Sequence, residues 1–169
     1  VLVAISYKTA AAEQSSTLRL VAIELADITL SARFYPAAQK QPAPAVMLLH
    51  GWGWPHNDPA IGLITVAQEF QRAGYAVLVL TMLGWQPSGG TDDCAGKQVD
   101  DALQALEWLG RRTEIDSNRL FLLGFSQGGQ VALLAASHNA PVQAVAAFAP
   151  VVDPGYWGKH TNVSGIRDY

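Results

Sequence analysis

The chain has 169 residues, 50% of them hydrophobic and only 15% charged, a balance that excludes disorder and suits one domain with a substantial core. Its 11 basic and 14 acidic residues give a net charge of −3 with no block of like charge, so it lacks the electrostatic footprint of nucleic-acid or anionic-membrane binding. A single cysteine, Cys94, excludes an internal disulfide framework and a cysteine-rich zinc site, and no apolar run approaches the roughly 18 residues that span a bilayer.

Residues 1–16 are read as an N-terminal tail. Val1 to Ile5 is apolar, and Ala10-Ala11-Ala12 offers a small-residue cleavage pattern, as in the end of a secretory signal. That reading places the protein outside the cytoplasm; a frayed end or a first edge strand leaves it inside. Residues 17–154 form the core of the fold. Ile28, Leu30, Ala32 and Phe34 alternate with polar neighbours, the period of a half-buried strand, and Leu18 to Glu24 just before them supplies an antiparallel partner. Pro36 to Pro44 reads as a surface connection, and Ala45 to Leu49 as a buried strand running into the loop His50 to Asp58.

Asp58-Pro59 is a helix start, and Leu63, Val66, Ala67 and Phe70 share one face before Gly74 stops the helix. Ala76 to Leu80 is a second apolar run, and Val99, Ala102, Leu103 and Leu106 mark a helix ending at Gly110. Leu120 to Leu123, a helix over Gln130 to His138, and Val142 to Phe148 complete the alternation. Such alternation predicts an α/β fold: a mostly parallel sheet with helices on both faces, preceded by an antiparallel strand pair. Residues 155–169 show no periodicity and are read as an irregular segment.

In an open α/β sheet, ligands bind at the carboxyl ends of the strands. Trp52, Trp54, Trp85 and Trp157 all fall in the loops there. Trp54, Trp85 and Trp157 are the candidates for a substrate-pocket wall; the alternative is that these rings only cap the core. The strongest local signal is Gly124-Phe125-Ser126-Gln127-Gly128, which ends a strand and opens a helix in the G-x-S-x-G pattern of a nucleophile elbow. A serine at the tip of so tight a turn is strained, and its neighbours two residues away must lack side chains. The turn lifts Oγ out of the sheet and sets it at a helix N-terminus, where the backbone N–H of Gln127 can hold an oxyanion. His50-Gly51-Trp52-Gly53, after the first parallel strand, offers a second donor in the N–H of Trp52, with that of Gly53 in reserve. His50 is expected to be structural and His56 a loop residue.

These stretches resemble the α/β-hydrolase superfamily, and within it the dienelactone hydrolase and prolyl-oligopeptidase branch. Pro44 to Gly51, Ser88-Gly89-Gly90, Asp116-Ser-Asn-Arg119 leading to Ser126, and Ala147 to Asp153 carry the likeness. The resemblance implies a serine hydrolase acting on a small-molecule ester or peptide-like substrate, with no metal and no organic cofactor. Two departures stand out. Ser126 replaces the cysteine nucleophile of dienelactone hydrolases, and Thr81-Met82-Leu83-Gly84 occupies the place of a D-x-R-G motif.

A serine nucleophile needs a histidine and an orienting acid, which in this fold follow it in the order Ser, Asp/Glu, His. After Ser126 stand only Asp153 and Asp168, His138 and His160. Asp153 is the candidate acid; His160 is a weaker candidate base, and His138 reads as a helix C-terminus. The expectation is therefore a chain cut short, with base and acid beyond Tyr169 and no histidine within hydrogen-bond reach of Ser126. Two alternatives stay open: a non-catalytic binding or regulatory domain, and a thioesterase or acyltransferase.

Overall fold

The computed structural model describes residues 18–38, 41–52 and 58–161. Six strands form one sheet in the order β1-β2-β4-β3-β5-β6. β1 (Arg19–Glu24) and β2 (Thr29–Tyr35) pair antiparallel from Arg19 opposite Phe34 to Glu24 opposite Thr29, the hairpin closed by the Leu25 N–H donating to the Ile28 carbonyl. β2 also lies antiparallel to β4 (Ala76–Leu80). From there on the pairings are parallel: β4 with β3 (Ala43–Leu49), β3 with β5 (Ile115–Phe125), and β5 with β6 (Ala144–Phe148). This is the mixed sheet the alternating runs predict.

β3 begins two residues earlier than its apolar run, inside the proline-rich stretch. The ladder to β5 shifts register between Ala43 and Ala45, so Pro44, which has no N–H to donate, sits at the irregularity. β3 and β4 are buried along nearly their whole length, as strands covered on both faces must be.

Helices α2 (Lys97–Gly110) and α3 (Gln127–Ser137) cover one face, where Met47, Leu49, Leu78, Leu80, Leu106, Leu122 and Val131 form the main core. A 3-10 turn (Pro59–Leu63) and helix α1 (Ile64–Arg72) cover the other, over Val46, Leu48, Val77 and Val79. Asp58 caps that turn by accepting the Ala60 N–H at 3.1 Å, and its other oxygen pairs with Arg33 of β2 at 2.6 Å. Of the four α1-region residues expected to face inward, Val66 is exposed, while Leu63 and Ala67 are buried and Phe70 packs against the smaller core. The 3-10 start rotates the helix relative to a continuous α-helical phase.

The stretch after β6 corrects the irregular reading of residues 155–169 over its first residues, while residues 162–169 lie outside the described residues. Pro154–His160 is a helix, α4, with Asp153 as N-cap and Pro154 in its first turn. At seven residues it is too short to leave a periodicity. No helix of the described residues is long and apolar enough to cross a membrane.

Candidate active site

β5 ends and α3 begins at Ser126, whose backbone stands at φ 55°, ψ −116°. The left-handed value strains a residue with a Cβ, and such strain persists only where surrounding structure holds it. Here the Ser126 N–H donates to the Phe148 carbonyl of β6 at 2.9 Å, and the Ser126 carbonyl accepts the Gln130 N–H at 3.0 Å. The flanking glycines are required by close backbone approach. A Cβ on Gly124 would lie 2.0 Å from the Gly128 carbonyl oxygen, and one on Gly128 would lie 2.4 Å from that of His50.

The loop leaving β3 passes directly beside the elbow. A Cβ on Gly51 would meet the Ser126 Cβ at 3.2 Å and the Phe125 ring at 3.1 Å. The peptide that follows carries the N–H of Trp52. Gly53, Trp54 and His56 lie outside the described residues.

The three described histidines are engaged elsewhere. His50 is fully buried; its Nδ1 lies 3.0 Å from the Gly51 carbonyl, and its Nε2 accepts the Met82 N–H at 3.0 Å. His138 is the C-cap of α3, with Nδ1 2.8 Å from the Leu134 carbonyl. His160 stacks on Tyr156 at 4.0 Å and lies 2.7 Å from its carbonyl. Among the described residues no histidine nitrogen bonds the Ser126 hydroxyl. Asp153 is exposed, and its Oδ1 accepts the Tyr156 N–H at 2.8 Å as the cap of α4. Asp168 is outside the described residues.

A cavity of about 400 Å³ opens at this end of the sheet, lined by Trp52 and Gln127 from the elbow side, Cys94 from the loop before α2, and Trp157 from α4. Trp85 takes another place. Its ring meets Trp52 edge-on at 6.0 Å and His50 at 5.7 Å, and it packs against the main core, so it braces the Trp52 wall.

A family model for X-Pro dipeptidyl-peptidases (S15 family) matches residues 27–163. The chain belongs to that family. The S15 match and the sheet together give it the α/β-hydrolase fold. A polyketide transferase, grgF, of a Penicillium species is 30% identical over 129 residues, 75% of this chain and 42% of the relative. Dipeptidyl aminopeptidase BIII of Pseudoxanthomonas mexicana is 30% identical over 98 residues, 54% of this chain and 14% of the relative. The crystal structure of the Penicillium α/β hydrolase GrgF superposes with a TM-score of 0.72 at 26% identity, over 82% of this chain and 47% of that one. Pyrococcus furiosus esterase Pf2001 shares the fold at a TM-score of 0.73 and 23% identity, over 86% of this chain and 56% of that one. The S15 chain thus spans less than half the length of the curated relatives it matches.

Sequence reasoning missed a buried polar network in this S15 chain. Gln127 Nε2 donates to Asp92 Oδ1 at 2.7 Å and to Gln98 Oε1 at 3.2 Å, and Gln98 Nε2 donates to Asp92 Oδ1 at 3.0 Å and to the Leu83 carbonyl at 2.8 Å. Asp92 Oδ1 also accepts the Cys94 N–H at 3.0 Å. The network ties the residue after Ser126 to the loop before α2. It is incompletely satisfied, since Asp92 Oδ2 and Gln127 Oε1 are buried without a partner. Only the acidic pair Asp92-Asp93 near a helix start hinted at it, and Asp93 is the residue that caps α2, accepting the Gly96 and Lys97 N–H groups.

Burial lowers the His50 pKa to about 4, against smaller raising effects from its bond to Gly51 and the nearby Asp58. The sign follows directly. Between pH 6.5 and 4 the unfolded imidazole takes a proton that the folded one refuses, so stability present above pH 6.5 is lost as pH falls. The full loss is roughly 3 kcal/mol, and the part between pH 6.5 and 5 precedes carboxylate titration. Urea midpoints are expected to fall across that window, with the His50 ring signal in NMR still neutral at pH 5.5. A His50 signal titrating near its ordinary value contradicts this.

Proposed function

We propose that the protein cleaves carboxylic esters or amides through an acyl-enzyme on Ser126, with the backbone N–H groups of Gln127 and Trp52 binding the tetrahedral oxyanion. The observation that carries the reading is the strained Ser126 at the strand-to-helix turn, clamped between glycines that leave no room for side chains. Strain of that kind is retained where it serves chemistry. At the start of an eleven-residue helix the Gln127 N–H has no intrahelical acceptor, and the helix dipole favours developing negative charge beside it. Gly51 lets the Trp52 peptide approach from the opposite side.

A fluorophosphonate reagent tests this, because it phosphylates an activated serine by the same attack that forms an acyl-enzyme. Peptide mapping is expected to place the adduct on Ser126. An adduct elsewhere, or equal labelling of Ser126→Ala, removes the nucleophile assignment. The relationship to a polyketide transferase supports a second reading, in which the acyl group passes to an acceptor other than water. Partition of the acyl-enzyme between water and an added alcohol separates the two.

A further inference from the structure

The cavity beside Ser126 has walls of a particular shape. Trp52 stands on one side, held by Trp85. On the other, α4 contributes Pro154, Gly155, Trp157 and Gly158, so apart from one indole its inner face carries only a proline ring and bare backbone. α4 has no buried residue, which means that its inner face meets the cavity in place of a packed core. The lining contains an acidic residue, Asp93, and no lysine or arginine. A carboxylate ligand would find no counter-charge there, whereas a neutral group would meet flat, polarisable walls.

We propose that this cavity is the substrate subsite for a planar aromatic ring carried by a neutral ester, with Trp52 and Trp157 as its aromatic contacts and Cys94 in its lining. The proposal rests on the reading of Ser126 as nucleophile, which fixes what the ring is attached to. Two indoles and bare glycine backbone in the lining offer an aromatic ring π-contacts that a saturated ring cannot make. Aromatic pairing adds a preference on the order of tenfold when two indoles take part. The volume of about 400 Å³ is within the usual range for small-molecule sites and exceeds a single ring, leaving room for the linker to the carbonyl. Cys94 suits a neutral ligand. Burial and the adjacent Asp92 and Asp93 raise its thiol pKa to about 11, so it presents an uncharged S–H at neutral pH.

The test uses the full chain carrying Ser126→Ala, so that esters bind without turning over. Calorimetric titration compares methyl 3-phenylpropanoate with methyl 3-cyclohexylpropanoate, which differ only in the ring. The cyclohexyl compound is the more hydrophobic, so a merely apolar hole would favour it. The expected result is that the phenyl ester binds about tenfold more tightly. Adding Cys94→Trp or Trp157→Ala is expected to weaken the phenyl ester at least tenfold, with melting temperatures within a few degrees of the parent. Trp157 is on a helix without buried residues, so its variant remains informative if Cys94→Trp folds poorly. Equal affinities for the two rings, no binding of either, or tight phenyl-ester binding by Trp157→Ala overturns the proposal. Because binding needs no nucleophile, failure here is distinguishable from failure of the fluorophosphonate reaction at Ser126.

Discussion

Ser126→Ala is expected to lower the rate of p-nitrophenyl acetate cleavage by on the order of 10³-fold or more wherever a general base activates the hydroxyl, because it removes the oxygen proposed to form the acyl-enzyme. Its stability should barely change, since alanine keeps the Cβ that makes φ 55° unfavourable. Ser126→Gly separates the two consequences of the turn. It is equally inactive, yet removal of the Cβ relieves a strain worth about 1–3 kcal/mol. Part of that gain is offset by the greater freedom of glycine in the unfolded chain. The expected pattern is therefore two dead variants, one as stable as the parent and one more stable, read from hydrolysis rates beside urea midpoints. If Ser126→Gly is less stable than Ser126→Ala, then the turn is not strained at this residue. If either variant retains the parental rate, Ser126 is not the nucleophile.

The strained turn was legible in the sequence because a tight strand-to-helix turn leaves its mark in contiguous residues, Gly124 through Gly128, so its geometry can be read from a short window. The central strands β3 and β4 were legible for a similar reason: burial on both faces forces apolar runs such as Ala76 to Leu80. What failed was whatever depends on residues distant in the chain. Gln127 meets Gln98 and Asp92 across 29 and 35 residues of sequence, and no local pattern announces a buried amide-carboxylate network. Trp85 looked like a pocket wall by its place after β4, but the rings of His50 and Trp52 draw it into a bracing role. Polar Asp116 to Arg119 hid the first half of β5, because those residues face solvent within a strand whose apolar part starts only at Leu120.

The largest loss of stability is expected from Gly128→Ala and Gly124→Ala. At Gly128 the added methyl would lie 2.4 Å from the His50 carbonyl oxygen and 2.5 Å from that of Leu49, both backbone atoms at the end of the central strand β3. At Gly124 it would lie 2.0 Å from the Gly128 carbonyl oxygen. No rotamer change relieves these contacts, so either α3 lifts from the sheet or the loop carrying Trp52 moves. Overpacking of a well-filled core costs about 1–3 kcal/mol when side chains can yield, and a backbone collision should exceed that range. For a chain of this size each 1 kcal/mol corresponds to roughly 2–4 °C in melting temperature, so a fall of about 10 °C or a failure to fold is expected. Gly129→Ala is the internal control. Its methyl would meet the Pro150 Cβ at 3.2 Å and the Gly124 carbonyl oxygen and Pro150 Cα at 3.3 Å, contacts that a few tenths of an ångström relieve. If all three variants melt alike, the close approach of α3 to β3 and β5 is not what selects glycine on both sides of Ser126. If Gly124→Ala and Gly128→Ala alone collapse, the G-x-S-x-G spacing is a packing requirement first. The left-handed, half-buried serine is then its consequence, since a helix seated this close on the sheet leaves the intervening residue no other turn.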